Sequence, residues 1–345
     1  MNRSEARAVD ARRELPAEHG VVEGRPDAGG GAATPSFADR SQGGTDKPAE
    51  TRIGQRMFIW GVRTYVMGIV NVTPDSFSGD GLLARPDGSS WPADPRAAVI
   101  ERAVAQARRM AAEGADLLDV GGESTRPGHE QVDSAEEAAR VVPVVAAIHA
   151  SLPDIPIGVD TTKPDVAIAA LDAGAALLND VWGVAPDDAL IRLAADRGAP
   201  IVLMHNRAEA RYRNLVAEVL ADLQAAIDRA LDAGVAWDRI VIDPGFGFGK
   251  TPDHNLALLA NLGALRALGR PVLLGTSRKS TLGKLLDLPA DERVEATAAT
   301  TVLGVAAGVD VVRVHDVREN VRAARVADAV LRGWRPDGWP GGGTA

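Results

Sequence analysis

The 345-residue chain contains no cysteine. A disulfide framework, a thiolate metal centre and a cysteine nucleophile are therefore excluded, and the composition suits a reducing, cytoplasmic setting. The chain also lacks any stretch of the roughly 18 apolar residues that a membrane-spanning helix requires. Residues 1–50 hold no apolar run of the signal-peptide kind. Positive charge is in deficit: 38 Lys and Arg face 47 Asp and Glu, for a net charge of −9. That balance argues against a nucleic-acid partner. Lysine itself is confined to Lys47, Lys163, Lys250, Lys279 and Lys284, of which Lys163, Lys250 and Lys279 closely follow apolar runs. No Gly-x-Gly-x-x-Gly marks the first strand-to-helix turn, so the usual signature of a dinucleotide-binding, doubly wound sheet is missing.

What is present is a repeat of short apolar runs. Residues 1–54 are rich in Gly, Ala and charged side chains, too poor in apolar surface to offset the entropy of ordering, and are expected to form a disordered extension. Residues 57–60 and 63–66 flank Gly61-Val62 and read as a short hairpin leading into the first long strand. Helix-like segments ending in Gly then alternate with apolar strands at 66–70, 117–120, 155–159, 176–179, 201–204, 240–243, 272–274 and 311–314. Between strands the period changes: Val99, Ala103, Ala107 and Met110 fall at helical spacing, as do Leu215, Val219, Leu223 and Ile227. Strands that are apolar throughout are buried on both faces, as in a parallel sheet. Eight such units predict an α/β fold, a (β/α)8 TIM barrel over residues 55–335, with 336–345 as a flexible tail.

Active sites of such barrels form where strands deliver side chains at the C-terminal face. Here those positions hold Asn71, Asp119, Asp160, Asn179, His205, Asp243, Lys279, Arg313 and His315. Taken singly, each has an ordinary explanation as a helix cap or a solvated loop residue. Together they predict one polar mouth of mixed charge. Three segments suit an anion: residues 121–128, which include Thr125 and Arg126; residues 275–280, where Lys279 and Ser280 lead into a helix; and Arg313-Val314-His315, whose alternation turns both polar side chains to one face. The run Asp243-Pro244-Gly245-Phe246-Gly247-Phe248-Gly249-Lys250 is sharper. A carboxylate at a buried strand end can accept two N–H bonds from an amidine-like ring edge, and Phe248 can wall a flat ring. A tight strand-to-helix turn packed by two Phe is the plainer reading of the same residues.

With these segments in view, the chain resembles the dihydropteroate synthases of the pterin-binding family. The resemblance spans about residues 57–334 and rests on seven segments in the family's order: 71–78 (Asn-Val-Thr-Pro-Asp-Ser-Phe-Ser), 119–128 (Asp-Val-Gly-Gly-Glu-Ser-Thr-Arg-Pro-Gly), 159–164 (Val-Asp-Thr-Thr-Lys-Pro), 179–181 (Asn-Asp-Val), 243–250, 277–280 (Ser-Arg-Lys-Ser) and 313–317 (Arg-Val-His-Asp-Val). It implies that 4-aminobenzoate displaces pyrophosphate from 6-hydroxymethyl-7,8-dihydropterin pyrophosphate. It implies further that Asp160, Asn179, Asp243 and Lys279 hold the pterin. Asn71, Arg313 and His315 would hold the pyrophosphate, with Mg²⁺ near Asn71, and Thr125 and Arg126 would close over it. Ser280 would take the aminobenzoate carboxylate, with Pro74, Phe77 and Phe248 around the ring. A cytoplasmic homodimer, inhibited by sulfonamides that mimic aminobenzoate, belongs to the same expectation.

Two places depart from the family's common pattern. Residues 76–81 read Ser-Phe-Ser-Gly-Asp-Gly, which shifts Asp80 by one position, and Asn206 stands where the family usually has Met. A polar side chain at Asn206 must find a partner if buried. Two other readings stay open at this point. One is a pterin-dependent methyltransferase, which would not need the Ser-Arg-Lys-Ser or Ser-Thr-Arg segments. The other is a weakly active or non-catalytic pterin-binding paralogue, supported only by Asn206 and Asp80.

Overall fold

The computed structural model describes residues 47–73, 82, 95–124 and 132–340. Expectations for residues 1–46 and 341–345, and for the loops carrying Pro74, Phe77, Asp80, Thr125 and Arg126, lie outside them. A two-stranded antiparallel hairpin, β1 (Glu50–Ile53) and β2 (Arg56–Ile59), precedes the barrel. Eight parallel strands follow: β3 (Tyr65–Asn71), β4 (Leu117–Gly121), β5 (Ile157–Asp160), β6 (Leu177–Asp180), β7 (Ile201–Met204), β8 (Ile240–Asp243), β9 (Leu273–Leu274) and β10 (Val311–Val314). Each pairs with its sequence neighbour, β10 returns to β3, and a parallel bridge between Ile242 and Val272 closes β8 on β9. The ring of strands is complete, as the eight apolar runs predicted.

Helices α1 (Pro95–Glu113), α2 (Ser134–Ser151), α3 (Pro164–Asp172), α4 (Ala189–Arg197), α5 (Leu215–Asp232), α6 (Pro252–Ala260), α7 (Ser280–Leu286), α8 (Val294–Ala307) and α9 (Val317–Leu331) connect the strands. Of the positions read at helical spacing, Val99, Ala103, Ala107 and Met110 on α1 and Val219, Leu223 and Ile227 on α5 are buried, and Leu215 is partly buried.

The hairpin differs from the sequence expectation. Segment 56–59 pairs upstream with 50–53, through a turn at Gly54, and not downstream with 63–66. Strand β1 therefore lies wholly within residues 1–54, the stretch expected to be a disordered extension, and corrects that expectation for its last residues. The reason is competition for backbone: Tyr65 and its successors give their hydrogen bonds to β10 and β4 inside the barrel. Tyr65 keeps contact with β2 only through its hydroxyl, which meets the N–H and carbonyl of Ile59 at 2.8 and 3.1 Å. Phe58, Trp60 and Tyr65 pack ring against ring. With Ile53 they cap the N-terminal end of the barrel.

Successive strand residues face opposite sides. Val66, Leu118, Leu178, Ile242 and Val312 pack outward under the helices. Met67, Leu117, Leu177, Val202, Val241, Leu273 and Val311 form the separate inner cluster above the hairpin. Two residues further along the same inward rows come Asp119, Asn179, Asp243, Gly275 and Arg313. On β4, β6, β8 and β10 the inner column thus changes from hydrocarbon to polar groups within one step.

Candidate active site

The polar step sits at the C-terminal end of the strands. Arg313 of β10 reaches across it, donating from Nε to Asp119 Oδ2 at 2.6 Å and from Nη2 to Asp160 Oδ2 at 2.7 Å. Asn179 of β6 donates from Nδ2 to the same Asp119 oxygen at 2.9 Å. On the other side, Asp243 accepts the Gly245 N–H at 2.7 Å. Lys279 donates to the Phe246 carbonyl, and its Nζ lies 4.3 Å from the centroid of the Phe248 ring. The two halves meet at Gly275, where an added β-carbon would lie 3.9 Å from Arg313 Cβ, from Asp243 Oδ2 and from Lys279 Nζ alike. A side chain there would fill the junction between them. The structure therefore brings Asp160, Asn179, Asp243, Lys279, Phe248 and Arg313 to one place.

Next to this group, His315 places Nε2 3.5 Å from Asn71 Nδ2, and its Nδ1 and backbone N–H both meet Ser277 Oγ. Ser277 is a contributor that sequence reasoning missed. Ser280 opens α7 as an exposed residue directly after Lys279. Arg278, between them, turns away in a left-handed conformation and pairs with Asp316. Of the segment 275–280 it is Lys279, not Arg278, whose side chain reaches the mouth.

Burial governs the charges. It pushes the Asp160 carboxyl up to about 7; the Arg313 guanidinium opposes that rise, and the Asp119 carboxylate adds to it. Burial pushes the Lys279 ammonium down to about 7, against the pull of Asp243 and with a contribution from Arg313. Asp243 is raised above the ordinary carboxylate range, again chiefly by burial and against Lys279. Arg313 loses hydration too, but Asp119 and Asp160 more than compensate and hold it charged.

His205 is fully buried behind the mouth and does not open on it. Its Nε2 meets Asp222 at 3.1 Å and its Nδ1 meets Lys250 Nζ at 2.9 Å. Lys250 also donates to the carbonyls of Gly245 and Phe248, tying down the loop after β8. Lys163 is bound by Glu123 and Glu137. Two of the three strand-following lysines are thus braces. Asn206 is buried and donates to the Val181 carbonyl at 3.2 Å, so its polar group is satisfied by the chain.

A closed parallel barrel with a buried acid–amide–acid set beside a lysine and an arginine at its C-terminal mouth has the make-up of a barrel enzyme for a small polar substrate. A family model for pterin binding enzymes matches residues 67–315. The dihydropteroate synthase of Clostridium beijerinckii is 48% identical over 282 residues, covering 81% of this chain and 99% of that protein. A crystal structure of the Clostridium difficile dihydropteroate synthase, obtained in the presence of pteroic acid, aligns with a TM-score of 0.73 at 46% identity, covering 80% of this chain and all of that one. The Xanthomonas albilineans dihydropteroate synthase with 4-aminobenzoic acid aligns with a TM-score of 0.73 at 42% identity, covering 82% and 98%. The chain belongs to the pterin-binding enzyme family and, within it, to the dihydropteroate synthases.

Proposed function

We propose that the chain condenses 6-hydroxymethyl-7,8-dihydropterin pyrophosphate with 4-aminobenzoate to give 7,8-dihydropteroate and pyrophosphate. The observation that carries this reading is the meeting of Asp243 and Lys279 with Arg313 and Asp160 around Gly275. Asp160, Asn179 and Asp243 offer acceptors to the N–H edge of the pterin, and Phe248 lies along its face. Lys279 adds positive charge on the same side. Arg313 and His315 face the diphosphate. Charge grows on the departing oxygen as the methylene carbon–oxygen bond lengthens, so a fixed guanidinium stabilises the transition state more than the ground state. The amine of aminobenzoate is neutral near pH 7 and attacks without a strong base. Its surplus proton leaves after the carbon–nitrogen bond has formed. Ser280 takes the aminobenzoate carboxylate. Pro74 and Phe77 flank the ring, and Thr125 and Arg126 close over the diphosphate.

The donors near Asn71 fit Mg²⁺ of one kind only. Among the described residues no group of three His, Cys, Asp or Glu could hold a metal alone. The single side-chain amide of Asn71, next to His315, suits an ion that would keep most of its water and lie against the diphosphate. Bound there, Mg²⁺ would neutralise diphosphate charge.

We further assign the barrel domain to residues 55–335, preceded by the 1–54 extension except for β1, with a tail at 336–345. Leu285 and Leu286 of α7, Val302 and Leu303 of α8, and Val326 and Val330 of α9 are exposed, which supports a homodimer through these outer helices. No helix among the described residues is long and apolar enough to cross a membrane. The absence of cysteine supports a cytoplasmic location.

The buried, chain-satisfied Asn206 favours an active enzyme over a non-catalytic paralogue. Incubating the purified chain with both substrates and Mg²⁺ tests the reading. Dihydropteroate and pyrophosphate should appear together; pterin binding without turnover would move the chain to the paralogue reading.

A further inference from the structure

Asp119 has no place in the substrate contacts above, yet it lies at the centre of the residues that make them. Its side chain is wholly buried. One oxygen, Oδ2, accepts from both Arg313 and Asn179. The other, Oδ1, has no hydrogen-bond partner. It points at Gly158 of β5, where an added β-carbon would stand 2.7 Å away. Strand β5 therefore contributes no side chain at this level, and the space goes to the carboxylate. A carboxylate held only to brace the barrel would have both oxygens occupied, as buried polar atoms generally do.

We infer that Asp119 is a positioning residue for the proposed reaction, one atom of which sets the spacing between the amide that meets the pterin and the guanidinium that meets the diphosphate. The inference rests on the proposed synthase reading. Asp160 cannot do this work by itself. Its carboxylate serves the pterin N–H groups as well as Arg313, so its hold on the arginine is shared with the ligand, whereas that of Asp119 is not. Asp119 is out of reach of substrate, so its hold on Arg313 persists through binding and departure of the diphosphate. Its charge also acts on Asp160, whose charged surroundings are Arg313, Asp119, Glu137 and Asp180.

The test is Asp119→Asn in the full chain. It keeps the shape of the side chain and removes the charge that holds Arg313. The KM for the pterin diphosphate should rise on the order of tenfold or more, the scale of a lost charge-assisted hydrogen bond. The KM for aminobenzoate at saturating pterin should stay within about twofold. Because Asp119 raises Asp160, the acid limb of the pH profile for pterin binding should move to lower pH. A bracing role would lower thermal stability and change both KM values alike; that pattern overturns the inference. Gly158→Ala provides an independent variant. It crowds Oδ1 and keeps the charge, so it should weaken pterin without shifting the limb, and unaltered pterin affinity there also counts against the inference. If the wild-type chain binds no pterin diphosphate, the functional reading itself has failed; if it binds and Asp119→Asn behaves as wild type, only the role of Asp119 has.

Discussion

At the floor of the barrel Asp116, Asp310 and Asp328 each spend their oxygens on the chain. Asp116 accepts the Val66 N–H at 2.9 Å and both ends of the Arg63 fork. Asp310 accepts the Val272 N–H at 2.9 Å and Lys47. Asp328 accepts the N–H and hydroxyl of Thr64 at 2.7 and 3.0 Å. At the mouth the same residue type is left with oxygens in hand: Asp119 Oδ1 has no partner, Asp160 gives Oδ2 to Arg313, and Asp243 gives Oδ1 to Gly245. A half-used buried carboxylate costs stability. Asp160 and Asp243, beside one arginine and one lysine, hold this capacity for a ligand and Asp119 holds the arginine, whereas the floor acids serve the fold. Binding sites often carry such a stability cost.

The comparison breaks most sharply at Asp243. Asp243→Ala should lower pterin affinity by at least on the order of 100-fold, as expected when one partner of a buried charged contact is truncated. Calorimetric titration with the pterin diphosphate reads this out. At the floor, Asp310→Ala strands the Val272 N–H and should cost about 1–3 kcal/mol of stability by denaturant unfolding, with both KM values unchanged.

Lys279→Met sharpens the contrast through pH. The folded-state pKa of Lys279 is depressed to about 7 from 10.5. Its contribution to stability is therefore present above pH 10.5 and lost as pH falls to about 7, so the wild type carries the full cost at neutral and lower pH. The variant should melt higher than wild type at pH 6 to 7, with the difference closing toward pH 10.5, and should not turn over. A melting temperature lower than wild type at pH 6 would place Lys279 with the braces.

Asn206→Met should have the smallest effect. It gives up one neutral hydrogen bond to Val181, so the pterin KM should move by less than about fivefold. A larger change would show that Asn206 faces substrate.

Much of this contrast is legible in the sequence because a barrel strand has a strict period. The step from Leu117 to Asp119, from Leu177 to Asn179, from Val241 to Asp243 and from Val311 to Arg313 is the same two-residue advance along an inward row. That advance predicts both the closed ring and the polar mouth. The period carries no information about which groups pair across the ring. Arg313 and Asp119 are 194 residues apart. Asp119 therefore reads like any other strand-end acid, although the side-chain-free Gly158 opposite it on the neighbouring strand is a signal. His205 is not at the rim for the opposite reason: a His followed by a polar loop reads the same whether the ring faces the mouth or the helices. Residues 63–66 have the right composition for pairing with 57–60, and only the demand of the neighbouring barrel strands removes them from the hairpin.

Thermal unfolding of Asp243→Ala and Asp310→Ala beside wild type, each with and without the pterin diphosphate, sets the two ends of the barrel against each other in one measurement. The floor variant should melt lower than wild type and keep the full ligand-induced rise; the mouth variant should melt at or above wild type and show no rise. Equal loss of melting temperature in both, with the ligand-induced rise intact in both, would contradict the division of labour between floor and mouth.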